Sequence, residues 1–140
     1  MKSERTSRDE ISKKIVTART FLQSARSGEN PPAVRFTLAY EAARVWCETV
    51  VRAEGLRVSG ASGHHERTIR AAAEILGTES KPIMLQLDRA RKARNAVMYE
   101  GGIETVSAAD AEEFIGVVDK FEEIVTAWLK KNHPDLLPIG

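Results

Sequence analysis

Apolar residues recur at intervals of three and four along most of this chain, which is the spacing of amphipathic α-helices. In the first such segment the apolar stripe consists of Ile11, Ile15, Ala18, Leu22 and Ala25. The sequence Ser7-Arg8-Asp9-Glu10 that precedes it has the pattern of a capping box, in which a serine and a glutamate satisfy each other's backbone N–H groups. We therefore predict a helix from this box to the break at residues 28–32.

The second apolar segment is the most hydrophobic one in the chain. Its stripe consists of Phe36, Ala39, Tyr40, Ala43, Trp46, Cys47 and Val50. We expect Asn30 to be the N-cap, with proline just inside the helix, and Gly55 to stop the helix at about Glu54. This segment is expected to be the central helix, with Tyr40 and Trp46 as core aromatics.

A short helix and a longer helix follow. The short helix is predicted to start at His64 and to stop at Gly77. The longer one, of about 18 residues, has Pro82 in its first turn and ends at Gly101-Gly102, where a left-handed cap is expected. Its predicted inner face contains Ile83, Leu87, Ala90, Val97 and Met98.

The last predicted helix begins at Ser107, which Asp110 completes as a cap, and runs to about Lys131. The tail after it keeps the apolar residues Leu136, Leu137 and Ile139, which we expect to pack on the bundle or on a partner. Four long or medium helices and one short helix predict an all-α antiparallel bundle. We expect one domain over residues 1–140, with a polar lead-in at 1–6 and a tail at 133–140.

The amino-acid composition fits such a domain and indicates its cellular location. In 140 residues, 42% are hydrophobic and 29% are charged, as in ordinary globular proteins. The single Cys47 excludes an intrachain disulfide and suits a reducing cytosol. No apolar run has the length of a membrane helix, and the first ten residues lack the core of a signal peptide. The expected location is cytoplasmic.

Few kinds of chemistry have the residues they need in this sequence. The spacing required for a di-iron bundle, a zinc site, a P-loop or a dinucleotide fingerprint is missing, so we expect neither a metal nor a cofactor. The formal net charge of +1 argues against wholesale capture of nucleic acid. Any such binding would need a local basic patch, for which the leading candidates are Arg89, Arg91 and Lys92 beside Arg94.

Arg94 lies on the apolar side of the fourth predicted helix, although its guanidinium cannot lose its charge. An arginine there needs a carboxylate, carbonyl groups or a wet groove. Glu41 or Arg44 of the second helix could extend toward it, or the polar strip to which they belong could simply be solvated. This strip consists of Thr37, Glu41, Arg44, Glu48 and Arg52. Arg91, Asn95 and Tyr99 lie beside Arg94 at steps of four.

Residues 94–99, Arg94-Asn95-Ala96-Val97-Met98-Tyr99, resemble the signature of HEPN domains. These are small helical bundles whose motif is an arginine, often followed by asparagine, with a histidine a few residues later. In many members the motif lies late in the fourth helix and is followed by small or turn-forming residues, as it is here. This chain has Tyr99 where the motif would place its histidine. The resemblance implies a HEPN-like bundle over most of the chain.

Catalytic HEPN domains cleave RNA without metal, so the resemblance also implies site roles. Arg94 would stabilise charge on the scissile phosphate, Asn95 would orient groups around it, and Tyr99 would hydrogen-bond the 2′-hydroxyl or the phosphate. Tyrosine titrates at about 10 and is a poor acid–base substitute for a histidine, which titrates at about 6.5.

The family resemblance further implies partners. Members often pair with a small nucleotidyltransferase antitoxin, and some are silenced by nucleotide transfer onto a tyrosine near the motif, which Tyr99 could be here. A homodimer with facing motif helices is expected as well. Three hypotheses follow: an RNA-cleaving protein of toxin–antitoxin or defence type, a non-catalytic module that binds nucleotide, RNA or a partner protein, and a purely structural bundle locked by Arg94.

His64 and His65 follow a loop of small residues, Arg57 to Gly63, at the start of the third helix. Backbone donors at a helix N-terminus can hold an anion, and protonated histidines would strengthen that site. The plain interpretation is a long mobile loop with two histidines at a cap. The alternative is that one of them folds onto the fourth helix and supplies the imidazole that position 99 lacks.

Overall fold

A computed structural model describes residues 2–60, 63–99, 101 and 106–137, and the side chains of all of these except residue 99. In this part of the chain the helices are α1 (Arg8–Ala25), α2 (Pro32–Ala53), α3 (His64–Leu76), α4 (Lys81–Tyr99) and α5 (Ala108–Asn132). Short 3-10 turns cover Thr78–Ser80 and Pro134–Leu136. The predicted all-α bundle is confirmed.

Helix α2 lies at the centre of the bundle and packs against α1, α3, α4 and α5. Its predicted stripe is buried, from Phe36 to Val50, with Tyr40, Trp46 and Cys47 all 0% exposed. Inner residues of α1 and α5 close the core from both sides. None of the described helices is long and apolar enough to cross a bilayer.

Local sequence signals account for most helix ends. Ser107 Oγ accepts from the Asp110 amide, and the Asp110 carboxylate accepts from the Ser107 amide, each at 3.0 Å, so the predicted cap of α5 is confirmed. Gly77 and Gly101 adopt positive φ angles of 85° and 69° beyond α3 and α4, as expected of glycine at such ends. Gly102 lies outside the described residues.

Two predicted caps are wrong or only half formed. The N-cap of α2 is Pro31 rather than Asn30, whose side-chain amide donates instead to the Ser24 carbonyl across the turn from α1. At α1, Ser7 Oγ accepts from the Glu10 amide as predicted. The Glu10 carboxylate, however, binds the Arg52 guanidinium, since a full positive charge attracts it more strongly than a backbone amide does.

Arg52 is therefore buried, contrary to the expectation of a solvated polar strip. Its side chain is 7% exposed and also donates to the carbonyls of Glu4, Arg5 and Leu56. These contacts gather the first residues of the chain against the end of α2. Here β1 (Lys2–Ser3) pairs antiparallel with β2 (Leu56–Arg57), so neither the lead-in nor the start of the loop is without structure.

Helix α4 is less buried than its periodicity predicts. Met84, Leu87 and Ala90 face the core, but Met98 on the same arc is 52% exposed. The arc prediction is thus wrong for Met98, whereas Val97 beside it is half-buried. The described α3 residues that line a cleft with the later turns of α4 share it with Arg91, Arg94 and Asn95. In the tail, Leu136 is buried as expected, and Ile139 lies outside the described residues.

Candidate functional site

A cleft of about 280 Å³ lies between the start of α3 and the later turns of α4. The residues that line it are Gly63, His64, His65, Glu66, Arg91, Arg94 and Asn95. Helices α3 and α4 form an antiparallel hairpin around the Thr78–Ser80 turn, so the start of one helix meets the end of the other. The structure thereby brings together five residues singled out in the sequence, the two histidines with Arg91, Arg94 and Asn95.

Arg94 lies at the bottom of this cleft and its side chain is only 15% exposed. Its Nη2 is 3.6 Å from Glu41 Oε1, and its Nη1 donates to Asn95 Oδ1 at 3.4 Å. Its Cζ lies 5.9 Å from the centroid of the Tyr40 ring, within range of a cation–π interaction. The predicted carboxylate partner is confirmed as Glu41, which is therefore not a solvated member of the polar strip.

Glu41 in turn belongs to a ladder of ion pairs along α2. Its Oε2 accepts from Arg44 Nε at 3.0 Å, Arg44 Nη1 donates to Glu48 at 3.0 Å, and Lys14 Nζ donates to Glu48 at 2.9 Å. The Glu41 carboxylate is therefore held by Arg44 on one side and lies beside Arg94 on the other. Three cations, Arg94, Arg44 and Lys14, share the two carboxylates of Glu41 and Glu48 along this ladder.

His65 is half-buried in the cleft. Its ring centroid lies 6.2 Å from that of Tyr40 and 6.1 Å from that of His64. Burial lowers the pKa of the His65 imidazole, and the nearby positive charges of Arg44 and Arg94 lower it further, against an opposing effect of Glu41. His65 is therefore neutral at neutral pH, and one of its ring nitrogens can accept a proton.

His64 is held from the loop side. Its Nδ1 lies 2.8 Å from the Ser59 carbonyl oxygen, and because a carbonyl only accepts, Nδ1 carries the proton. Gly63 precedes it with φ of 81° and no described side chain caps this end of α3. The start of α3, with the amide N–H groups of its first turn and the positive end of its helix dipole, therefore borders the cleft.

Arg91 bridges the two helices above Arg94. Its Nη2 lies 3.3 Å from Asp88 on α4 and 4.0 Å from Glu66 on α3, and its side chain is 18% exposed. The cleft therefore contains two guanidiniums, two imidazoles, an amide and one carboxylate, that of Glu66. Such a set favours an anionic ligand with oxygen atoms that accept several hydrogen bonds.

Two of the predicted site residues, Arg89 and Lys92, are not among those that line the cleft. Arg89 lies on another side of α4, along a groove with Asp110 and Glu113 of α5. Lys92 is exposed and pairs with Asp88 at 3.6 Å. The run of basic residues is thus divided among the faces of one helix instead of forming a single patch. The side chain of Tyr99 lies outside the described residues.

Sequence reasoning missed one neighbour of the site. Tyr40 was expected to be a plain core aromatic, and it is buried, but its ring lies between Arg94 and His65 rather than among apolar residues alone. No local signal distinguishes it, since its apolar spacing on α2 is that of the core. Among the described residues, no cluster of three or more histidine, cysteine or acidic side chains is placed to hold a metal ion.

No family model matches this chain, and no curated protein and no solved structure is significantly similar to it. Its function is therefore inferred from the residues of the cleft, together with the resemblance of residues 94–99 to the HEPN motif.

Proposed function

We propose that this protein is a cytoplasmic, HEPN-like RNA-handling protein of toxin–antitoxin or defence type, which cleaves a phosphodiester bond without metal. The observation that supports this proposal is the position of His65. It shares one cleft with Arg94, although 29 positions separate the two in the sequence. An imidazole is thus present beside the arginine even though the motif itself has Tyr99.

Arg94 is the phosphate-binding residue in this proposal. Its guanidinium offers paired N–H donors that match the oxygens of a phosphate, and Glu41 holds it from below. Asn95 and the first amides of α3 add neutral donors on either side. At about 280 Å³, the cleft is at or below the lower end of the usual range for small-molecule pockets and suits one backbone phosphate with its ribose.

The chemical step needs no group beyond those of the cleft. His65, neutral at neutral pH, accepts the proton of the ribose 2′-hydroxyl, and the 2′-oxygen attacks phosphorus. The O2′–P bond forms and the P–O5′ bond breaks, which gives a 2′,3′-cyclic phosphate and a 5′-hydroxyl. The departing O5′ takes its proton from water. Arg94 stabilises the negative charge on the phosphate oxygens throughout.

The experiment is a cleavage assay of purified protein on structured and unstructured RNA in the presence of a chelator. We expect fragments with cyclic phosphate ends, and a loss of rate of roughly 100-fold or more in Arg94→Ala and in His65→Asn. Arg89→Ala is the matched control, because this arginine lies on the same helix but outside the cleft. Thermal melts of each variant separate loss of function from loss of folding.

Equal cleavage by wild type, Arg94→Ala and His65→Asn would refute the proposal, as would a strict need for divalent metal. Binding of RNA without cleavage, weakened by Arg94→Ala, would favour the second candidate, a non-catalytic module for nucleotide, RNA or a partner protein. The ion pair between Arg94 and Glu41 favours that candidate, because an incoming phosphate has to compete with a carboxylate.

Two partners belong to the same proposal. One is a nucleotidyltransferase antitoxin that transfers a nucleotide to Tyr99, and the other is a second copy of this chain. Incubation with a nucleotidyltransferase encoded beside it and ATP tests the first idea, and an unchanged intact mass would contradict it. A monomer in sedimentation at micromolar concentration would contradict the second.

A further inference from the structure

Tyr40 lies directly beneath the cleft, and among the described residues its hydroxyl group has no hydrogen-bond partner. The residue is 0% exposed. Its ring is 5.9 Å from Arg94 Cζ and 6.2 Å from the His65 ring, so two residues that line the cleft also cover the phenol. The large majority of buried side-chain hydroxyls are hydrogen-bonded, and an exception requires a reason.

Packing alone does not supply that reason. Thr49, on the same helix and equally buried, shows the usual arrangement, because its Oγ1 donates to the Val45 carbonyl at 2.7 Å. At position 40 a phenylalanine would fill the same space without an unsatisfied oxygen. The unpartnered hydroxyl thus costs free energy of folding, as does the buried Nε1 of Trp46 on the same helix, and the position of Tyr40 beside Arg94 and His65 offers a use for it.

We propose that Tyr40 is a phosphate-binding residue whose hydroxyl donates a hydrogen bond to an anionic oxygen of the phosphate held by Arg94. In the free protein the guanidinium of Arg94 lies over the ring and is held by Glu41 at 3.6 Å. A phosphate in the cleft draws this guanidinium outward and exposes the hydroxyl beneath it. This inference rests on the proposed function, since it assigns another donor to the same phosphate.

The chemistry of a buried phenol suits this role. Burial raises the pKa of Tyr40 to about 12, with Cys47 and Glu41 adding to the effect and Arg94 and Arg91 opposing it. The hydroxyl therefore keeps its proton throughout the physiological range and does not become an anion that would repel phosphate. Next to the charged Arg94 it adds a neutral donor with a fixed direction, which orients the tetrahedral anion instead of merely attracting it.

The test compares Tyr40→Phe with Thr49→Val, since each change removes one buried hydroxyl from α2 at nearly constant volume. The probes are inorganic phosphate and a 2′-deoxy dinucleotide that cannot form a cyclic phosphate, titrated at constant ionic strength and followed by NMR. We expect Tyr40→Phe to bind both about 10-fold more weakly than wild type and Thr49→Val to bind them equally well. Thermal unfolding should leave Tyr40→Phe as stable as wild type or more stable.

The outcomes distinguish this inference from the proposed function. If Arg94→Ala loses affinity for phosphate while Tyr40→Phe keeps it, the role of Tyr40 is overturned and the cleft remains a phosphate site. If the wild-type protein binds neither probe at the cleft, the role of Tyr40 and the proposed phosphate site are both refuted. A drop in stability of Tyr40→Phe as large as that of Thr49→Val would mean that the hydroxyl has a partner within the fold, which also overturns the inference.

Discussion

Arg52, which is buried, and Arg94, which is partly exposed, show how the same residue type serves two purposes in this protein. Arg52 donates to both carboxylate oxygens of Glu10, with Nη2 to Oε1 at 2.9 Å, and to three backbone carbonyls. Arg94 has a looser pair, at 3.6 Å from Glu41, and borders an open cleft. A guanidinium bonded on every side is part of the framework, whereas one held loosely beside a cleft can transfer its bonds to a ligand.

The Glu10–Arg52 pair makes a prediction about acid stability. The hydrogen bond from Arg52 lowers the pKa of Glu10 and outweighs the opposing effect of burial. A carboxyl group whose pKa is lowered by folding stabilises the protein fully above its unfolded pKa of about 4.5, and this stabilisation is lost as pH falls through the folded pKa. Urea denaturation of wild type and Glu10→Gln should therefore show a difference at pH 7 that shrinks steadily below pH of about 4.5.

The control for this prediction is the same substitution in an Arg52→Met background. Without the guanidinium, the acid-dependent difference between glutamate and glutamine at position 10 should disappear. A difference that stays constant from neutral to acid pH in the wild-type background would mean that the pair does not contribute through ionisation.

The local sequence predicted the helices and their ends better than it predicted which distant side chains bond to each other. The helix ends at Ser107, Gly77 and Gly101 depend only on residues within a few positions of each end. A local sequence pattern is therefore enough to predict them. The bonds of Arg52 and Glu10 join residues 42 positions apart, and no spacing along one helix contains that information. Asn30 is not the N-cap because α2 begins one residue later than predicted, at Pro32 with Pro31 before it.

The capping box of α5 gives a prediction at the scale of one element. Ser107→Ala removes the acceptor for the Asp110 amide and leaves one of the first backbone donors of α5 without its partner. We expect a loss of about 1 kcal/mol in the free energy of unfolding, measured by chemical denaturation. Ser24→Ala, on the exposed side of α1, is the matched control, and an equal loss in both variants would contradict a role for the cap.

The site was only partly predictable at the element scale. Periodicity correctly located Arg94 on the inner side of α4, and the steps of four brought Asn95 and Arg91 beside it. The same periodicity put Met98 on the inner face, although this side chain is 52% exposed. The sequence left open whether His65 approaches the fourth helix, because that depends on how α3 and α4 pack. The structure places this residue in the cleft with Arg94.

At the scale of the whole molecule, Cys47 provides an internal reporter of opening. It is 0% exposed on the central helix, and burial raises the pKa of its thiol. Since the thiolate is the reactive form, alkylation should require the bundle to open. We expect labelling of the native protein to be roughly 1,000-fold or more slower than labelling in denaturant. Labelling at equal rates in both conditions would mean that α2 is not the stable centre of the bundle.

In the α3–α4 hairpin, the turn that joins the helices lies far from the cleft. Its closed end is the Gly77–Ser80 turn, where the Ser80 hydroxyl donates to the Gly77 carbonyl at 2.8 Å and Ser80 is 0% exposed. Its open end is the cleft, about 20 Å away along the 13 residues of α3. Over that length, one degree of rotation between the two helices at the turn corresponds to a displacement of about 0.3 Å at the cleft. If the cleft binds phosphate as proposed, we expect substitutions at the far end of the hairpin to alter its affinity through side chains that never meet the ligand.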